Sequence, residues 1–365
     1  MTMFSTINKY IYKSISLGIV LSTVMFLALD VLIGFIQQIN AVGRGDFTVG
    51  SAIYYTFLTI PSRIFDNFPV SSVVGVMIGL GALAANSELV VIQSAGISRL
   101  KIAGMTIVIL LIWLVPMSLM GEYVVPPAKI MAESYRSTMI NKNIGLGVNT
   151  GVWIRDGNVI FNAVPIDNGY SVANKNISMN DVTVYELDDK LQVVKVSKAK
   201  KAIHKDDSWE LYDLEVTEFI DSGVTTRLID KKIWPSRIEP EILSIIDSRP
   251  KYLSIRAILK YKKFQVNKEH IPIKYNIALW SKISYPLVVI ATALTGLPFL
   301  FGLLRSGGFG QRLLIGVMLG IILYLLNRTL ANIGEVFHVH PILVTSLPSA
   351  FILVIVLWYL QLQKK

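Results

Sequence analysis

Cysteine is absent from all 365 residues, so no disulfide braces any part of this chain and no thiolate can act as nucleophile or metal ligand. Histidine is scarce at four residues. Only His338 and His340, with Glu335 nearby, are spaced like ligands, and loop histidines are common enough that no metal site is expected. Charged residues make up 16% of the chain against 53% hydrophobic ones, too few for a soluble globular protein. The chain also lacks G-x-x-x-x-G-K-[ST], G-x-S-x-G and H-E-x-x-H, which removes the usual nucleotide cradle, serine elbow and zinc helix. Gly79-Leu-Gly-Ala-Leu-Ala84 imitates a dinucleotide fingerprint, but no strand precedes it. Neither an enzyme nor a cofactor-binding chain is expected.

What is present is apolar sequence in long runs, and a mean hydropathy of +0.54. The net charge is +10, yet residues 141–270 are nearly balanced and the excess flanks the apolar runs, as topology signals do and nucleic-acid surfaces do not. Lys9 and Lys13 precede a first span over about 14–36, too long for a signal-peptide core and followed by no small-residue cleavage site. The short stretch 52–60, stopped by Pro61, reads as interfacial. Further spans are expected over about 68–85, 102–120, 273–300, 313–333 and 342–360. Gly75/Gly79 and Gly316/Gly320 each form a G-x-x-x-G suited to close helix packing. Gly121 to Pro127 is expected to close the third span, with an amphipathic segment 128–139 after it. Basic residues in alternate loops, among them Arg305 and Arg312, place both termini in the cytoplasm. The expected organisation is helices one to three in 1–125, a large outer domain in 126–270 and helices four to six in 271–365.

Between the second and third spans lies Asn86 to Lys101, an aqueous connection that is more than a turn. Ser87 is placed to cap a short helix, and Glu88 falls in its first turn, where the helix dipole favours an anion. Leu89, Ile92 and Gln93 recur at helical spacing, Gly96 ends the helix, and Arg99 and Lys101 follow. Such an amphipathic helix either lies on the headgroups or docks on a partner.

From about Ile144 the pattern changes to short β-type runs separated by glycine, asparagine and aspartate turns: 152–154, 159–164, 182–187, 191–196, 209–219 and 224–234. Asp156-Gly157 is a hairpin signal, and the whole reads as an all-β sandwich or jellyroll inserted into the helical chain. Lys190 to Lys205 carries six lysines and no carboxylate, which favours a sheet edge guarded against aggregation over an anion-binding face. Ser254 is placed to cap a basic helix leading back to the membrane.

Charges inside the apolar spans cost roughly 2.5–3.5 kcal/mol each on insertion scales, so each needs a partner or a path to line. Asp30, Lys282 and Arg328 are such residues. Asp30 and Lys282 are candidates to pair with each other; alternatively Lys282, Arg136 and Arg328 form a basic rim for an anionic lipid.

Several stretches carry a resemblance. Ser87-Glu-Leu89 with Gly96, Gly121-Glu122 with Pro126, Tyr135-Arg136, Trp280-Ser-Lys282, the run from Phe301 to Ser306, and Leu347-Pro-Ser349 together resemble the LptF/LptG permeases of the lipopolysaccharide export ABC transporter, over essentially the full length. Trp280-Ser-Lys282 tilts the resemblance towards the LptG half of that family. The resemblance implies a bacterial inner-membrane protein of six spans with a periplasmic β-jellyroll, paired with an LptF-like permease, an LptB-like ATPase dimer and an LptC-like jellyroll protein. It implies that ATP and magnesium sit on the ATPase and that Ser87, Glu88, Leu89, Ile92, Gly96 and Arg99 form the coupling element. It also implies that Arg136 and Lys282 face lipid phosphates; the charges within the spans add Asp30 and Arg328 as lipid-binding candidates. One departure stands out: positions on outer helix one that are basic in some relatives read Gly34, Asn40 and Ala41 here. An ion-coupled transporter or a membrane-anchored scaffold are the competing classes; the first calls for internal repeats, and none is evident.

Overall fold

The computed structural model describes residues 2–141, 152–156, 158–165, 178–188, 192–205, 208–220, 223–234, 249–265, 272–301 and 309–362. The loop holding Arg305 and Gly307, and also His270, lie outside the described residues. Two compact units divide the chain: Met1–Asn40 with Ala52–Lys129 and Ile271–Lys365, and Ala41–Ser51 with Ile130–His270.

In chain order the helices begin with α1 (Thr2–Ile39), then α2 (Val49–Leu58), α3 (Ile60–Ala85), α4 (Glu88–Ser94) and α5 (Arg99–Leu119). A π-helical segment, Met120–Val124, leads into α6 (Val125–Asn141). After the β insertion come α7 (Ile255–Gln265), α8 (Ile273–Thr295), α9 (Leu297–Leu300), α10 (Phe309–Val336), α11 (Pro341–Thr345) and α12 (Leu347–Leu362). Among the described residues, five helical stretches are long and apolar enough to cross a membrane. The sixth apolar segment is broken at Ser346 into α11 and α12.

Two expectations are corrected here. Pro61 begins a helix instead of ending one: it sits in the first turn of α3, where its missing N–H costs nothing. Pro126-Pro127 does not close the third span, because the π segment shifts the ladder and helix continues through to residue 141.

Helix α3 is the centre of the bundle, buried along most of its length. Helix α1 packs on it through Ile11, Ile15 and Ile19, one face at four-residue spacing, all fully buried. Glycine makes this approach possible: a Cβ at Gly75 would lie 2.4 Å from Ile19 Cα, and one at Gly18 would lie 2.1 Å from the Gly75 carbonyl. Gly79 faces Ser14 in the same way, and the Ser14 hydroxyl donates to the Gly79 carbonyl at 2.9 Å. The second G-x-x-x-G works from the other side, Gly316 against Met77 and Gly320 against Val73.

Among the described residues, the strands of the β unit form one antiparallel sheet of six in chain order: β1 (Val152–Asp156), β2 (Val159–Pro165), β3 (Ser178–Leu187), β4 (Val193–Lys205), β5 (Ser208–Ile220) and β6 (Gly223–Trp234). The hairpin expected at Asp156-Gly157 is present, with Asp156 opposite Val159. Its core is Phe161, Val182, Val184, Ala199, Trp209, Leu211 and Leu214, with Trp234 stacked on Phe161 at 5.1 Å. The inward pattern skips a beat on each central strand: Met179 then Val182, Ala199 then Ala202, Leu211 then Leu214. The registers of β3 to β6 all omit the same row, which leaves Asp181, Lys200, Asp213 and Asp230 opposite one another. One extra residue per strand at one level keeps the pairing in step and creases the sheet, so both halves face one core. Asp181 and Asp213 take φ of +49° and +53° there, a conformation aspartate tolerates better than most residues.

The lysine-rich strand, expected at a sheet edge, lies inside the sheet instead: β4 is paired on both sides, by β3 and by β5. Its lysines are tolerated because β5 brings carboxylates opposite, Lys195 facing Glu218 and Lys198 facing Glu215. Lys195 reaches Glu218 at 2.8 Å.

Candidate functional site

The connection between α3 and α5 folds as a small tethered helix. Leu89 and Ile92 on α4 are buried, and Ile97 beyond it is almost fully so, all within the bundle core. Val90 and Val91 point the other way and are 66% and 65% exposed. Gly96 adopts φ +91°, and the N–H groups of Gly96 and Ile97 close back on the carbonyls of Gln93 and Ile92. This left-handed stop turns the chain sharply and sends Ile97 back into the core. The Ser98 hydroxyl then accepts from Lys101 N–H and caps α5, while Arg99 lies over the Phe301 ring at 5.8 Å. One expectation is corrected: Ser87 occupies the cap position with φ +61°, and its side chain makes no capping hydrogen bond.

Glu88 is held instead from the far end of the sequence. The Tyr10 hydroxyl on α1 donates to Glu88 Oε2 at 2.8 Å, and Asn86 Nδ2 lies 3.5 Å from Oε1. Beside this pair is a hollow of about 350 Å³ lined by Thr6, Ile7, Tyr10, Asn86, Glu88, Val91 and Ile92. Sequence reasoning missed Tyr10, because nothing in the spacing joins positions 78 residues apart.

The charges within the spans find other partners than expected. Asp30 does not meet Lys282. It pairs with Arg63, whose Nη1 lies 3.1 Å from Asp30 Oδ2 and donates to the Asp30 carbonyl at 2.7 Å. Asn67 donates to the same carboxylate, and Arg63 Nε donates to Thr59 Oγ1. A Cβ at Gly34 would lie 2.0 Å from Arg63 Nη2, so the guanidinium fills the room that glycine leaves on α1. The overlooked signal was Pro61: a helix starting there places Arg63 inside the apolar span.

Lys282 donates to the Gly121 carbonyl at 2.9 Å, with Glu122 Oε2 at 3.8 Å. The backbone explains why. In the π segment Val125 N–H bonds to Met120 five residues back, so the next donor in line would be Pro126, which has no N–H. The Gly121 carbonyl is left for the Lys282 ammonium. The same rule operates at Pro69 in α3, which strips the donor from the Phe65 carbonyl; the Tyr285 hydroxyl supplies it at 2.9 Å, its ring stacked on Phe65 at 4.4 Å. Tyr324 donates to the next carbonyl, Asp66, and Arg328 lies beside Tyr324. Arg136 is on α6 in the β unit, next to Tyr135, whose hydroxyl donates to Ser51 Oγ at 3.2 Å.

Among the described residues no group of three histidine or acidic side chains could hold a metal ion. The arrangement has two parts: a tethered, half-exposed helix with one carboxylate, and buried side chains that mend broken helix ladders.

Comparison with known proteins adds a direct finding. The sequence model of the lipopolysaccharide export system permease family LptF/LptG matches residues 9–362. The lipopolysaccharide export system permease protein LptG of Haemophilus influenzae is 30% identical over 364 residues, covering 98% of this chain and 99% of that protein. The protein of the same name from Escherichia coli K12 is 29% identical, covering 98% of each chain.

Proposed function

Since the chain belongs to the LptF/LptG family of lipopolysaccharide export permeases, we propose that it is the transmembrane subunit that turns ATP hydrolysis on a partner chain into extraction of lipopolysaccharide from the bacterial inner membrane, for delivery to a periplasmic bridge. The observation that carries this reading is α4: a helix moored in the bundle by Leu89, Ile92 and Ile97, yet offering Glu88, Val90 and Val91 outward. A helix buried on one side and unpaired on the other is built to pass force between a partner and the bundle. ATP and magnesium then belong to an LptB-like ATPase dimer under α4. An LptF-like permease completes the membrane cavity, and an LptC-like jellyroll protein receives the lipid. Closure of the ATPases moves α4 as a rigid body and narrows the cavity. Both termini lie in the cytoplasm and the β unit in the periplasm.

For the lipid itself, Arg136 and Arg328 are the cations to test against phosphate, where charge-assisted hydrogen bonds are strong. Asp30, which pairs with Arg63, and Lys282, which donates to the Gly121 carbonyl, are the further candidates for that surface. The test is a pull-down of the tagged chain in mild detergent. A P-loop ATPase and a second six-span permease are expected at near-stoichiometric amounts, with the ATPase lost on Glu88→Lys. Recovery of a folded chain alone, or ATPase retained by Glu88→Lys, overturns the reading in favour of a scaffold or ion-coupled transporter.

A further inference from the structure

We propose that the start of α1 forms one wall of the coupling surface and that Tyr10 is a positioning residue for Glu88. This rests on the reading of α4 as the ATPase-docking helix and extends it to a segment 78 residues earlier in the chain. The hollow beside α4 draws three of its seven lining residues, Thr6, Ile7 and Tyr10, from α1, and Glu88 is its single carboxylate.

The geometry says what Tyr10 does. Glu88 stands in the first turn of a seven-residue helix whose cap serine makes no side-chain capping bond, and its hydrogen-bond partners, Tyr10 and Asn86, lie outside α4. The Tyr10 hydroxyl, at 2.8 Å from Oε2, fixes one oxygen over the hollow and leaves lone pairs on both oxygens for an incoming donor. Tyr10 is 48% exposed and Val91 65% exposed, so the carboxylate sits on the rim of an apolar recess open to a partner.

The charges choose the occupant. Lys9, Lys13, Arg99 and Lys101 are near in sequence, but none of them lines the hollow, where Glu88 is the charged side chain among Ile7, Val91 and Ile92. An anionic headgroup set into that hollow would be repelled by Glu88. A protein that inserts an apolar side chain into the recess and sets a guanidinium or ammonium against Glu88 satisfies both features. The occupant is therefore a basic-apolar surface of the ATPase.

The test uses the assembled complex, with both permeases and the ATPase. A photo-reactive benzoylphenylalanine at Thr6 is expected to form a covalent adduct with the ATPase; adducts with lipid or with the second permease alone overturn the proposal. In parallel, Tyr10→Phe is expected to weaken ATPase binding about fivefold at unchanged melting temperature, the worth of one net hydrogen bond. The same change in a Glu88→Gln background is expected to add almost nothing, since the tyrosine acts through that carboxylate. Independent, multiplying losses overturn the positioning role. If Glu88→Lys left ATPase binding intact, the docking reading itself would fail and carry this inference with it. Loss on Glu88→Lys without a Thr6 adduct overturns only the α1 wall.

Discussion

Lys282 shows how an intramembrane charge acquires a structural task. Its ammonium is 10% exposed, bonded to a carbonyl that Pro126 cannot serve, and placed beside Glu122. Taking the ammonium away leaves the Gly121 carbonyl without its donor, so Lys282→Met is expected to destabilise the purified chain by about 1–3 kcal/mol in thermal or denaturant unfolding. If Lys282 served only lipid, Lys282→Met would leave stability unchanged. The Asp30–Arg63 pair follows the same logic, with Gly34 providing the space. That an acid in one span and a base in another are needed could be read from composition. Which base meets which acid could not, since pairing is decided by helix neighbours and by where the ladder is broken.

At the scale of the element, glycines with the same letter carry opposite consequences. Gly75 meets the backbone of α1, so Gly75→Ala is expected to force α1 and α3 apart and lower stability by about 1–3 kcal/mol, as overpacking does. Gly104 on α5 has nothing within 4 Å of its would-be Cβ, so Gly104→Ala is expected to raise stability by about 0.5–1 kcal/mol through helix propensity. Parallel melting curves of the two variants check both signs. Gly96 also has open space, yet its φ of +91° makes Gly96→Ala strained by about 1–2 kcal/mol. That strain falls on the turn that aims α4, so, on the proposed docking of an ATPase there, its co-purification is expected to drop before the bundle melts.

For the whole molecule, the two units rest on different forces. The bundle depends above all on apolar packing and close helix approach, which are insensitive to pH, with Asp30–Arg63 and Lys282–Glu122 as ion pairs inside it. The β unit carries cross-strand ion pairs on its outer face. The hydrogen bond from Lys195 holds the Glu218 carboxyl below its usual range, and those from Tyr212 and Lys231 do the same for Glu210. A carboxyl with a lowered folded pKa contributes stability above its unfolded value, roughly pH 4.3, and loses that contribution as pH falls through the folded value. The β unit is therefore expected to unfold before the bundle on acidification, and Glu218→Gln to flatten the acid limb. Fluorescence of a variant that keeps Trp209 as its single tryptophan, followed against circular dichroism from pH 6 to 3, separates the two, since Trp209 sits in the sheet core while Trp113, Trp280 and Trp358 lie in helices. Coincident transitions, with an acid limb untouched by Glu218→Gln, would contradict it.

The class of the molecule was settled by local pattern alone. Long apolar runs, the switch to two-residue alternation after Ile144, and the polar connection from Asn86 to Lys101 are short-range signals, and the spans, the inserted sheet and the moored helix all follow from them. Both G-x-x-x-G motifs likewise announced close packing, though not the surface each would meet. Tertiary structure decided what depends on distant residues. It set Tyr10 on Glu88, Arg63 over Gly34 and Lys282 on the Gly121 carbonyl, and it placed the lysine strand inside the sheet opposite acids of β5. The physical reason is common to all four. A periodic pattern tells a segment which face to bury, but a hydrogen bond or ion pair needs a partner at about 3 Å, and only the packed arrangement of helices and strands supplies one.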